Sequence, residues 1–106
     1  MKSFPSNYRW LTEKFGPVLE AHQNLGKALA EAGPLDAKQS ELIKLAAAAA
    51  TQSEGAVHSH AKRALQSGAG REEIYHTLIL LVSTVGFPIV AAAISWAREI
   101  IDIIEE

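Results

Sequence analysis

The chain has 106 residues, 48% of them apolar and 21% charged, with 10 Lys and Arg set against 12 Asp and Glu. That length suits one domain with one core, 1–106, and the composition is globular rather than disordered. A formal net charge of -2 offers no positive excess for nucleic acid or anionic lipid, and the lack of cysteine excludes disulfides, thiolate metal sites and thiol redox chemistry in this chain.

The first residues, MKSFPSNYRWLTEKFG, place charges and aromatic rings where a signal peptide needs an unbroken apolar stretch, so the expected compartment is the cytoplasm. Trp10, Leu11, Phe15, Val18, Leu19 and His22 predict one or two N-terminal turns running into a helix that carries Leu25 and Leu29. Pro17 suits its start and Gly33-Pro34 its stop. Asp36 with Gln39 three residues on has the form of a capping box for the next helix, which holds Leu42, Ile43, Leu45 and the run Ala46 to Ala50. Those small side chains either let two backbones approach closely or leave space for a ligand.

Ser53 can cap a third helix with Val57, Ala61, Ala64 and Leu65 inward, ended by Gly68. Gly70-Arg71-Glu72-Glu73 opens a fourth, whose core-facing set is Ile74, Leu78, Leu81, Val82 and Val85. After Gly86-Phe87-Pro88 comes a last helix with Ile89, Val90, Ala93, Trp96, Ala97, Ile100 and Ile101. The run Thr77 to Ala97 is apolar enough to raise the question of a membrane span, but Gly86-Phe87-Pro88 divides it into two bundle helices, and no membrane is expected. No sustained period-two alternation competes with these helices. The expectation is an all-α bundle of five or six short helices, apolar on more faces than one small core can cover, and therefore a homo-oligomer.

From Asp36 to Ala97 the sequence resembles the carboxymuconolactone decarboxylase and AhpD-like family. The likeness rests on Ser40-Glu41-Leu42-Ile43-Lys44-Leu45 with its alanines, on the stretch Gln52-Ser53-Glu54-Gly55-Ala56-Val57-His58-Ser59-His60 continuing to Leu65, and on Gly68-Ala69-Gly70-Arg71-Glu72-Glu73-Ile74. A weaker fourth piece is Gly86-Phe87-Pro88 with the alanine-rich last helix. The resemblance implies an AhpD-like helical bundle and an assembly of subunits, with a hexamer favoured over a dimer or trimer because relatives often build trimers of dimers. In AhpD-like members a Glu precedes a Cys-x-x-Cys-x-x-x-His motif. On this chain the Glu falls on Glu41, the thiols on Ser53 and Ala56, a further His that some members carry on Gly55, and the last His on His60. Both thiol positions are lost while Glu41 and His60 remain, so the chain is closer to the decarboxylases proper. These manage without the thiol pair and turn a carboxylated muconolactone into an enol-lactone with loss of carbon dioxide.

A carboxylate from one helix against one ring nitrogen of a histidine on the next fixes the tautomer, which is what an acid or base working near neutrality needs. Glu41 and His60 are the catalytic candidates on that ground. Arg63, three residues after His60, and His76, one turn after Glu72, are the candidates for holding a small carboxylated or lactone-like substrate. Plainer readings stand beside each: a satisfied core or interface histidine for His60, a salt bridge to Lys38, Lys44 or another subunit for Glu41, a solvated face for Arg63, and a surface pair with Glu72 for His76. Tyr8, Trp10 and Trp96 could line a pocket for a ring, but read more simply as core anchors. His58 and His60 cannot share a helix face, no H-E-x-x-H pattern is present, and no cofactor or metal is expected. A catalytically silent binding or interaction module is the alternative to a lyase-like enzyme. A thiol peroxidase of the AhpD kind has no sulfur nucleophile to work with.

Overall fold

The computed structural model describes residues 3–104, and among them it contains seven helical segments and no strand. They are α1 (Ser3–Lys14), α2 (Gly16–Ala30), α3 (Ala37–Ala50), α4 (Glu54–Gln66), α5 (Arg71–Ile79), α6 (Val82–Val85) and α7 (Phe87–Ile104). The expected all-α architecture is present. The fourth expected helix is divided: α5 stops at Ile79, and a single turn, α6, carries Val82 and Val85 before Gly86 closes it at φ 97. A glycine there takes the left-handed backbone without a steric penalty. The split also disposes of the long apolar run, since no helix among the described residues is long and apolar enough to cross a membrane.

The chain forms two compact units, Met1–Pro34 and Leu35–Glu106. In the first, Pro17 sits in the opening turn of α2, where its missing N–H is no loss. Gln23 on α2 donates its side-chain N–H to the Tyr8 hydroxyl at 3.2 Å. The Trp10 and Phe15 rings meet edge to face at 6.0 Å. None of this makes a core: no residue of this unit whose burial is described is buried, and Tyr8, Trp10, Val18, Leu25 and Leu29 are all more than half exposed. Tyr8 and Trp10 are therefore not core anchors within this unit, because a pair of short helices has no third surface to bury them against.

The second unit holds the core. Leu45, Ala48 and Ala49 of α3 meet Val57, Ala61 and Ala64 of α4, Ile74 and Leu78 of α5, and Ala93, Ala97 and Ile101 of α7. Of the two uses of the alanines, Ala48 and Ala49 serve close approach, buried opposite other alanines. Trp96 is partly buried and packs against this cluster.

Local chemistry sets the helix ends. Asp36 accepts the Gln39 N–H at 2.8 Å while Gln39 accepts the Asp36 N–H at 3.1 Å, a complete capping box. Ser53 caps α4 by accepting the Ala56 N–H. Gly68, at φ 100, ends α4 with the Ala69 N–H reaching back to the Ala64 carbonyl at 2.9 Å. The end of α3 has the same form without a glycine: Gln52 stands at φ 59, and the Ser53 N–H bonds the Ala48 carbonyl at 3.0 Å.

Candidate functional site

Only residues 51–53 separate α3 from α4, so the two helices run back antiparallel along each other, with their alanines buried between them. Glu41 lies one turn before the buried Leu45 on α3, and His60 lies beside the buried Ala61 on α4. Both therefore sit at the margin of the core. There the His60 Nδ1 and a Glu41 carboxylate oxygen are 2.8 Å apart. The side chains keep 20% and 15% of their surface, so the pair is largely sheltered but its ring remains reachable. An ionised carboxylate can only accept, so Nδ1 donates and the neutral ring carries its lone pair on Nε2. The pair is thus a fixed imidazole with one nitrogen committed and the other free for a proton.

Arg63 is exposed on α4 and His76 is exposed on α5, and among the described residues neither forms a hydrogen bond or ion pair with Glu41 or His60. Of the plainer partners considered for Glu41, Lys38 instead reaches Glu73 on α5 at 3.0 Å. Ser53 and Ala56, which stand at the family's thiol positions, are the cap and first turn of α4.

A second pair was not legible beforehand. His58 Nε2 lies 2.8 Å from a Glu99 carboxylate oxygen on α7, 41 residues along the chain. The burial pattern of α4 held the one available signal, since a residue two positions from His60 must look toward a different neighbour. The Glu73 carboxyl is held below its ordinary value, first by the Gly70 N–H that donates to it and then by the Lys38 ammonium. Both contacts belong to the start of α5 and support the fold rather than the Glu41 and His60 pair.

Comparison with known proteins bears on what such a pair serves. The model of the carboxymuconolactone decarboxylase family matches residues 16–99. An uncharacterized protein of Haemophilus influenzae is 44% identical over 54 residues, which make up 51% of this chain and 48% of that protein, so the chain's match spans about half the length of this curated relative. The apo crystal structure of a carboxymuconolactone decarboxylase family protein from Legionella pneumophila superposes with a TM-score of 0.86 at 27% identity, covering 99% of this chain and 93% of that one.

Proposed function

The chain belongs to the carboxymuconolactone decarboxylase family, and from that premise we propose that it performs thiol-free acid–base chemistry on a small carboxylated or lactone-like molecule in the cytoplasm, with His60 as the proton-carrying group and Glu41 as the residue that orients it. The carrying observation is the 2.8 Å contact between His60 Nδ1 and Glu41 on a ring that keeps a reachable face. In a decarboxylation the bond from ring carbon to carboxylate breaks, carbon dioxide leaves, and the electron pair is taken up toward the lactone carbonyl. A proton then has to reach the ring carbon next to that carbonyl, which leaves the enol-lactone, and a protonated His60 Nε2 can deliver it and be recharged from water. Arg63 and His76, exposed on neighbouring helices, are proposed to meet the substrate's carboxylate as it arrives. The chain has no cysteine, so the thiol route of AhpD-like relatives is closed to it.

The test is turnover of muconolactone-type carboxylates by the purified chain, followed as loss of carbon dioxide. The expected result is activity that His60→Ala abolishes and Glu41→Gln lowers. Unchanged turnover in His60→Ala would overturn the assignment. A silent, ligand-binding or interaction module is the second reading. The observations behind it are the loss of both thiols of the family motif and the exposed apolar surface of α1 and α2, which suits an interaction role. For the assembly we propose a homo-oligomer, with six subunits favoured.

A further inference from the structure

We propose that Glu54, His58 and Glu99 form a binding site for one divalent first-row transition-metal ion on the face shared by α4 and α7, separate from the Glu41 and His60 pair. Glu54 is the first residue of α4 and His58 stands one turn later, so both project from the same face of that helix. Glu99 reaches the same point from α7. One ligand atom from each of the three, a carboxylate oxygen twice and an imidazole nitrogen once, lies within 4.8 Å of both others. The two helices that carry them are locked by the core, through Val57 and Ala61 on one side and Ala93 and Ala97 on the other. The backbone positions of the three ligands are thereby fixed before any ion arrives.

The three ligand atoms lie near the spacing of an ion's first coordination sphere. Metal–oxygen and metal–nitrogen bonds of about 2.0–2.2 Å put neighbouring ligand atoms roughly 3.0–3.6 Å apart. His58 and Glu99 stand at 2.8 Å, slightly inside that spacing, and the three atoms lie within 4.8 Å of one another, an outer bound slightly beyond it. Glu54 and Glu99 are exposed and His58 is half-buried, so small side-chain rotations suffice to open the cluster around an ion. Two carboxylates balance a divalent charge, the imidazole favours zinc, cobalt, nickel or copper over magnesium and calcium, and water completes the sphere. The pairing of His58 with Glu99, together with the one-turn spacing of Glu54 from His58, brings three possible ligands to one place. His60 is two residues from His58 and points elsewhere, so the site neither borrows nor blocks the proposed acid–base pair.

The full chain, stripped with a chelator, is titrated with Co²⁺ and Zn²⁺ by calorimetry and by the visible spectrum of bound cobalt. One equivalent per chain is expected, with Glu54→Gln, His58→Gln and Glu99→Gln each weakening binding at least tenfold and His22→Gln, on α2, leaving it as in the parent. Absence of stoichiometric binding, or parent-like binding by any of the three variants, overturns the site. A measurement on the unaltered chain guards against misfolded variants: substoichiometric Co²⁺ should shift the His58 ring resonances before those of His22, His60 or His76. A first shift at any of those three also overturns it.

Discussion

Glu41 and His60 stand 19 positions apart in the chain, yet their side chains meet at 2.8 Å across the antiparallel α3 and α4. Because the contact is largely sheltered, removing one partner strands the other. Glu41→Ala is expected to destabilise the chain by about 1–3 kcal/mol in urea denaturation, the range for a partly buried polar group left unpaired. Glu41→Gln keeps an acceptor and should lose less. A double-mutant cycle with His60→Ala should show the two losses to be strongly non-additive, and additive losses would mean that the contact contributes nothing.

The end of α3 supplies a prediction about backbone strain. Gln52 occupies the left-handed region at φ 59, in a helix end of the form that Gly68 makes for α4. That conformation costs an L-residue about 1–2 kcal/mol, of which glycine returns a part through its freer unfolded chain. Gln52→Gly should therefore raise stability by about 0.5–1 kcal/mol. A β-branched Gln52→Val should lower it. A glycine variant with a lower denaturation midpoint would contradict the strain.

These two sites mark what could be read in the chain beforehand. The Asp36 and Gln39 box, the Ser53 cap and the Gly68 stop were visible because each is complete within a few residues, and so was the placing of Glu41 and His60 on successive helices. The left-handed Gln52 was not, since nothing in its side chain announces that role. The break between Ile79 and Val82 falls in an apolar run with no Gly or Pro to mark it, so packing rather than propensity decides it. His58 with Glu99 was hidden for a different reason: 41 residues separate them, and only the docking of α7 on α4 brings them together.

Glu73 predicts how stability responds to acid. Its carboxyl is lowered from an ordinary 4.5, chiefly by the Gly70 N–H and next by Lys38. The folded chain thus binds this proton less readily than the unfolded chain does. The resulting stabilisation is complete above 4.5 and is lost as pH falls through the lower folded value. Glu73→Gln has no such proton to bind. Its stability deficit against the parent should be present at neutral pH and shrink in acid below that window, as read from denaturation midpoints. An equal deficit at both pH values would show that the charge of Glu73 is irrelevant.

Leu25 and Leu29, one turn apart on α2, are 53% and 57% exposed, and Val18 on the same helix is 63% exposed. With Trp10 at 54% they leave a large apolar surface in a unit where no residue of described burial is buried. Isolated exposed leucines need no explanation, but several large apolar side chains exposed on short helices without a core do, because helices of this length draw their stability from packing. Another copy of the chain is the partner we propose. Light scattering should then give a mass that is a multiple of 11.4 kDa. The double variant Leu25→Glu, Leu29→Glu should reduce that mass, since charges desolvated in an apolar contact oppose association. Far-ultraviolet circular dichroism should show that Leu35–Glu106, which holds the core, keeps its helices in the variant. A parent chain that runs as an 11.4 kDa monomer at high concentration would remove the basis for self-association.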